Sequence, residues 1–258
     1  MEINFFKYQG AGNDFVIIDN RSGTLHLTHE QVALLCHRRF GIGADGLMLL
    51  QSEPGFDYRM LYYNADGLES TMCGNGGRCI AAFAYHIGAA GKEQHFMAID
   101  GPHQAIIIED GEVKLQMTDV QHIEYEEDAT ILNTGSPHYV HFTSHIDQID
   151  VNKEGRRIRN LERFQPKGIN VNFASYHEDH IKIRTYERGV EAETLACGTG
   201  VTAVAIVAAC GKTGHIHTKV QALGGMLSVS FEKIDNQTVK NIWLQGPAKM
   251  VFKGSINC

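Results

Sequence analysis

Short apolar runs separated by polar or glycine-containing turns give the chain its first outline. Phe15-Val16-Ile17-Ile18, Leu47-Met48-Leu49-Leu50, Ala105-Ile106-Ile107-Ile108 and Val113 to Met117 read as strands. The last two flank Glu109-Asp110-Gly111-Glu112, which reads as a hairpin turn. Thr28-His29-Glu30-Gln31 is a capping box, in which a hydroxyl and an amide each satisfy the other residue's backbone N–H, and it predicts a helix through His37. Cys79 to Tyr85 and Val201 to Ala209 are different: apolar on every face, they predict helices buried on all sides.

A repeat organises these elements. Glu69-Ser70-Thr71-Met72-Cys73-Gly74-Asn75-Gly76 returns as Glu193-Thr194-Leu195-Ala196-Cys197-Gly198-Thr199-Gly200, an offset of 197 − 73 = 124. Tyr62 and Tyr186 close strand-like runs at the same offset, as do the pairs Arg39-Phe40 and Arg163-Phe164. Gly12 and Gly135 lie at corresponding places near the start of each copy, with 135 − 12 = 123. Four collinear matches predict a duplicated unit of ~120 residues. The expectation is an α/β (α+β) fold of two pseudo-symmetric repeats, over residues 1–119 and 120–247. Each would be a curved mixed sheet wrapped around one of the buried helices, with the active site in the cleft between the repeats.

Net charge and composition narrow the function classes. A formal charge of −7 argues against nucleic acid or an anionic membrane as the main partner, since both require a basic footprint. The one basic stretch, Lys153 to Lys167, is interrupted by Glu154 and Glu162 and reads as a solvated helix face. The first residues lack the basic start and apolar run of a signal peptide, and the longest uncharged run, Thr194 to Gly211, is too short and glycine-rich to span a bilayer. A cytoplasmic protein is expected, and there the six cysteines are thiols to be considered for catalysis or metal binding before disulfides. Cys73 and Cys79 are six apart, no His-Glu-x-x-His occurs, and His177/His180 and His215/His217 read as exposed loop or strand residues, so no metal is expected. Gly41-Ile42-Gly43-Ala44-Asp45-Gly46 matches a dinucleotide fingerprint only formally. A helix precedes it and a strand follows, the reverse of what phosphate binding at a helix N-terminus needs, so it reads as a turn.

Cys73 and Cys197 are set apart from Cys36, Cys79, Cys210 and Cys258, which read as packing or surface residues. Each is followed by Gly-x-Gly and a helix, a context that aims backbone N–H groups and the positive end of a helix dipole at the thiol and at any bound anion. Two such thiols, one per repeat, suit inversion at an amino-acid α-carbon. One base removes the proton and a second acid delivers another to the opposite face, while backbone donors hold the carboxylate as the carbanion forms.

At these residues the chain resembles the diaminopimelate epimerase family. Tyr63-Asn64-Ala65-Asp66-Gly67 with Cys73-Gly74-Asn75-Gly76-Gly77-Arg78-Cys79, and Tyr186-Glu187-Arg188-Gly189-Val190 with Glu193-Thr194 and Ala196-Cys197-Gly198-Thr199-Gly200, are similar to its two signature regions. Gly10-Ala11-Gly12-Asn13-Asp14-Phe15 resembles its N-terminal motif, so the likeness runs along essentially the whole chain. The resemblance implies interconversion of LL- and meso-diaminopimelate in lysine and peptidoglycan precursor synthesis, without a cofactor. It implies Cys73 and Cys197 as the acid/base pair, with His138 and Glu187 tuning or relaying protons for them. Gly74, Asn75, Gly198 and Thr199 would bind the reacting carboxylate through backbone N–H groups, and Asn13, Asn64, Asn170 and Arg188 the remaining polar groups. It also implies that residues 248–258 return to the first repeat. Two positions depart from the family's frequent choice: Ser136 stands where Asn is common, and Thr199 where Ser is frequent. The partner expected is the small-molecule substrate, and a homodimer stays open. The nearest rival is a proline or hydroxyproline-type racemase of the same architecture; a phenazine-pathway-like isomerase and a non-enzymatic small-molecule-binding module are more distant ones.

Overall fold

The computed structural model of the protein describes residues 2–257 and, of Asp110, the backbone alone. Cys258, read above as packing or surface, lies outside the described residues. The chain divides into two compact units, residues 2–115 with 246–257 and residues 116–245.

In the first unit the elements run β1 (Glu2–Gly10), β2 (Asn13–Asp19), α1 (His29–Cys36), β3 (Gly46–Gln51), β4 (Tyr58–Asn64), α2 (Gly74–His86), β5 (Glu93–Ala98), β6 (Gly101–Ile107) and β7 (Glu112–Gln116). The second unit runs β8 (Ile123–Tyr125), β9 (Thr130–Asn133), β10 (Pro137–Phe142), α3 (Val151–Arg159), β11 (Asn170–Tyr176), β12 (Ile181–Glu187), β13 (Ala192–Thr194), α4 (Gly198–Ala208), β14 (Gly214–Ala222), β15 (Gly225–Lys233) and β16 (Val239–Pro247). The last strand, β17 (Lys249–Asn257), belongs to the first unit and pairs with β1.

The two sheets have the same wiring. The first unit is ordered β17-β1-β2-β3-β4-β5-β6-β7, with the β2·β3 and β4·β5 pairings parallel and the rest antiparallel. The second is ordered β8-β9-β10-β11-β12-β14-β15-β16, with parallel pairings at the same two steps. Each parallel step needs a crossover, and a helix supplies it: α1 and α2 in one unit, α3 and α4 in the other. The duplication reaches the hydrogen-bond register. Phe15 opposes Gly46 and His138 opposes Asn170, with 138 − 15 = 123 and 170 − 46 = 124. Ala98 opposes Gly101 and Ala222 opposes Gly225, both at 124.

The sequence runs of β2 and β3 are apolar throughout because both faces of the sheet are covered. Val16, Ile18, Leu47 and Leu49 pack against Val32 and Leu35 of α1. The opposite face meets α2, which contacts β1, β2, β3, β6 and β17; its Phe83 packs on Phe6 and Tyr8 at centroid distances of 5.0 and 6.0 Å. Burying one such ring contributes about 1.5–3 kcal/mol. In the second unit α4 touches β9, β10, β11, β12, β14 and β15, so the sheet curves around it, while α3 covers the outer face through Val151 and Ile158. The valines and isoleucine of α4 are modest helix formers, and burial along nearly its whole length supplies the stability they lack.

The two central helices differ in one respect from the sequence reading. α4 is buried as expected, but α2 exposes Tyr85 and His86 and encloses a charged side chain, Arg78, with no exposed surface. Residues 109–111 form one 3-10 turn between β6 and β7. The Thr28 capping box is present with both of its hydrogen bonds, and residues 41–45 form an irregular turn into β3. No helix among the described residues is long and apolar enough to cross a membrane.

Candidate functional site

Both cysteines singled out from the sequence sit at helix N-caps, Cys73 on α2 and Cys197 on α4. Each has extended backbone and passes its carbonyl to the first helical bond, from Gly77 N–H at 2.8 Å and from Val201 N–H at 2.9 Å. The first-turn N–H groups and the positive end of each dipole are therefore directed toward the cysteine side of the helix. Burial raises the pKa of two other thiols, to about 11 for Cys36 and further for Cys79, which fits them to packing. Cys210 is exposed.

In the first unit the Cys73 sulphur accepts the Gly76 N–H at 3.2 Å. Asn75 is nearly fully buried, and its orientation is set from behind: Arg78 donates to Asn75 Oδ1 at 2.9 Å and to the Gly74 carbonyl at 3.1 Å. The Asn75 amide nitrogen then donates to Asn13 Oδ1, and Asn13 Nδ2 donates to Asp45 Oδ2 at 3.0 Å. Asp45 is itself held by Arg38 at 2.7 Å, which also pairs with Asp14, and Asp14 meets Lys7 at 2.8 Å. Burial works against ionisation of Asp14, but the hydrogen bonds and charges of Arg38 and Lys7 outweigh it and hold the carboxyl well below its ordinary range. Asn64 closes β4 as a turn residue, its N–H donating to Leu68 and its carbonyl accepting from Gly67, each at 2.9 Å.

The second unit gathers more of the expected residues. Ser136 Oγ lies 3.0 Å from His138 Nε2, 3.0 Å from Asn170 Nδ2 and 3.1 Å from Thr199 Oγ1, and Thr199 Oγ1 lies 3.4 Å from Cys197 Sγ. His138 has no exposed surface, and its pKa is pushed down to about 3, first by burial and then by the positive charge of Arg188. Its ring is neutral at physiological pH. Asn170 accepts the Arg188 backbone N–H at 2.9 Å, and the Arg188 guanidinium reaches the Lys167 carbonyl at 3.2 Å. Arg188 occupies the position equivalent to Asn64, 188 − 64 = 124, at the end of the matching strand. Glu187 is half-buried beside it, and burial raises its carboxyl above the ordinary value.

Several residues of these networks escaped the sequence reading: Arg78, Asp45 and Arg38 in the first unit, and Asn172, Thr185 and Thr134 in the second. Asn172 is fully buried and donates to His138. Its signal was present as the alternating Asn170-Val171-Asn172-Phe173, an amide repeated on one face of an otherwise apolar strand. Thr134 fixes the first turn of α4 by donating to the Thr199 carbonyl at 2.8 Å. Gly200 permits the close approach, since a Cβ there would lie 2.4 Å from Asn172 Oδ1 and 3.4 Å from His138 Cε1. Two surface hollows, one along α3 and one beside β17 and α2, contain neither N-cap thiol. Among the described residues no group of three metal-ligating side chains is close enough to hold an ion.

Comparison with known proteins assigns the family. The family model for diaminopimelate epimerase matches residues 5–123 and 130–251. The chain belongs to the diaminopimelate epimerase family. The diaminopimelate epimerase of Flavobacterium psychrophilum is 46% identical, with 98% of this chain and 100% of that protein covered. Those of Chlorobaculum tepidum and Aquifex aeolicus are 44% and 40% identical, over 96% and 99% of this chain and 98% of each relative. The chain is thus an enzyme of the epimerase class. Solved structures show the fold well beyond that family. A Bacillus anthracis phenazine biosynthesis protein of the PhzF family superposes with a TM-score of 0.79 at 16% identity, covering 100% of both chains. A probable proline racemase from Agrobacterium radiobacter gives 0.68 at 13% identity, over 99% of this chain and 92% of that one.

Proposed function

We propose that this chain is a cofactor-independent two-base epimerase that interconverts LL- and meso-diaminopimelate, with Cys73 and Cys197 as its acid and base. One observation carries the reading: both copies of the repeat hold a cysteine at the N-cap of their central helix, at the same place in the same wiring. Inversion at a carbon passes through a planar carbanion, and two groups are needed, one for each face. One thiolate takes the α-proton while the other thiol donates its own to the opposite face, and the roles exchange in the reverse direction. The backbone N–H groups of Gly74, Asn75, Gly198 and Thr199 would hold the α-carboxylate, where negative charge grows in the transition state. Asn13, Asn64 and Asn170 would take the amino groups and the rest of the polar frame, and Arg188 the distal carboxylate in a bidentate grip. Glu187, its carboxyl raised by burial, would tune or relay protons for the thiols. The two units would be the two domains of the enzyme, serving lysine and peptidoglycan precursor synthesis in the cytoplasm, and a homodimer would be the candidate assembly.

The test is direct: incubate the purified protein with LL-diaminopimelate and, separately, with L-proline, and follow stereochemistry. Conversion of the first alone supports the reading, and conversion of proline alone overturns the substrate. Activity is expected to persist after exhaustive chelation; loss that a metal ion restores would refute a mechanism run by thiols alone. Arg188→Met is expected to lower kcat/KM at least tenfold with an unchanged unfolding midpoint, because a charge-assisted hydrogen bond contributes about 1.5–3 kcal/mol. Normal turnover by that variant would make Arg188 structural.

A further inference from the structure

The hydrogen-bond partners near Cys197 fix the direction in which hydrogens are donated as far as Thr199, whose hydroxyl lies 3.4 Å from the sulphur. Asn172 Nδ2 donates to the Tyr139 carbonyl at 3.0 Å, while Asn172 Oδ1 accepts from the Thr185 hydroxyl at 3.0 Å. A carbonyl can only accept, so the orientation of this amide is settled. The second hydrogen on Nδ2 points at His138 Nδ1, 3.0 Å away, which must present a lone pair. The contact could favour an imidazolium only with the amide turned over, and the Tyr139 carbonyl forbids that turn. The neutral ring therefore carries its hydrogen on Nε2 and donates to Ser136 Oγ at 3.0 Å. Asn170 is fixed in the same way: Oδ1 accepts from Arg188 N–H, so Nδ2 donates to Ser136 Oγ at 3.0 Å. A hydroxyl accepts twice and donates once. With both acceptor positions of Ser136 filled, its hydrogen goes to Thr199 Oγ1 at 3.1 Å, which leaves the Thr199 hydroxyl its own hydrogen to donate to a Cys197 thiolate 3.4 Å away.

The equivalent positions in the first unit are Asn13 and Asn75, with 136 − 13 = 123 and 199 − 75 = 124. There donation runs from Arg78 to Asn75, from Asn75 to Asn13, and from Asn13 onto the Asp45 carboxylate. That chain ends on a carboxylate, and the Cys73 sulphur takes its donor from the Gly76 backbone N–H, whereas the side-chain network of the second unit reaches the Cys197 sulphur.

We propose that Ser136 and Thr199 form a directional hydroxyl relay that presents a hydrogen-bond donor to Cys197 Sγ and favours its thiolate. His138, Asn170 and Asn172 are positioning residues that set the direction of the relay. The proposal rests on the reading of Cys197 as one of the two acid/base thiols. The relay is a fixed donor and not a proton wire, because His138 Nε2 already bears hydrogen and Nδ1 is occupied by Asn172. When Cys197 acts, the substrate C–H bond breaks, an S–H bond forms, the electron pair stays on the α-carbon, and no proton travels through Ser136. Arg188 is the charged group that bears on His138, and it adds to the preference for the neutral ring.

The experiment measures the rate at which iodoacetamide alkylates Cys197 in the full-length, substrate-free protein, read peptide by peptide by mass spectrometry at pH 7. The thiolate is the reacting form, and exposed Cys210 is the internal reference. Thr199→Val should slow alkylation of Cys197 about tenfold while leaving Cys210 unchanged, the size expected for losing a hydrogen bond to a charged group. Thr199→Ser should restore the rate, and Ser136→Ala should slow it by roughly threefold, since Thr199 remains but loses its direction. Circular dichroism confirms that each variant is folded; if Thr199→Val does not fold, Ser136→Ala against wild type decides. Alkylation of Cys197 within twofold of wild type in the deciding variant overturns the relay. Wild-type protein that fails to epimerise diaminopimelate would overturn the functional reading instead, and the alkylation rates would still report on the relay.

Discussion

Cys73→Ala and Cys197→Ala should each abolish inversion, with losses of roughly 100- to 10,000-fold, the range by which a positioned acid or base accelerates proton transfer. The two losses should be comparable, because each direction of the reaction uses one thiol as base and the other as acid. Isotope traffic separates this from a one-base mechanism. A single base that removes and returns a proton on the same side labels recovered substrate about as fast as it labels product. With two thiols in D₂O, the proton that leaves and the deuteron that arrives belong to different groups. Early in the reaction, product should carry α-deuterium while unreacted substrate stays largely unlabelled. Mass spectrometry of both diastereomers in the first few per cent of conversion measures this. Product that keeps its original proton, or an alanine variant that epimerises at near the wild-type rate, would remove the two-thiol assignment.

Acid should destabilise the protein through His138, in a window where its carboxylates contribute little. The native imidazole is pushed down to about 3, whereas an unfolded chain binds a proton at its ordinary value of about 6.5. Between those values the unfolded state holds the extra proton, so stability is complete above about 6.5 and falls as the pH drops, by about 1.4 kcal/mol per unit. Asp14, held well below its ordinary range by Arg38 and Lys7 against the cost of burial, acts in the same sense but only below about 4. Glu187, raised by burial, acts in the opposite sense. Urea midpoints of wild type and His138→Gln, compared at pH 7.5, 5.5 and 4.5, isolate the histidine because the other groups cancel in the difference. The variant starts less stable, having lost the fit to Asn172 and Ser136, but the gap should close as the pH falls. Parallel loss in the two proteins would mean that the ring is protonated in the native state.

What the sequence made legible was local or repeated. The offset of 123 to 124 predicted two copies of one unit, and it reappears in the sheet registers because equivalent strands pair at equivalent residues. Thr28 and the two Cys-Gly-x-Gly segments announced helix starts, since capping depends on residues three or four apart. The remainder depends on partners that only the sheet brings together. Nothing near Asn13 announces Asp45, and nothing near Ser136 announces Asn170 or Thr199. Arg78 appeared only as one letter of the first signature region, yet its guanidinium orients Asn75 at the helix N-terminus from within the core. His138 stood in the sequence as a candidate proton carrier. Its full burial and its two engaged nitrogens, on which the proposed relay is argued, depend on Ser136 and Asn172 and not on its neighbours in sequence alone.

The placement of β17 has a consequence for how the chain matures on the ribosome. The second unit is continuous in sequence, so all of its strands have emerged once residue 247 is clear. The first unit begins earlier and finishes later, because β1 has no neighbour on its outer edge until residues 249–257 arrive to pair with Glu2–Gln9. For most of synthesis that edge is a row of unpaired backbone groups, the kind of template that recruits other nascent strands. The half made first is therefore the half completed last, and a ribosome stalled before residue 249 would release a chain whose second half can close while its oldest strand stays open to aggregation.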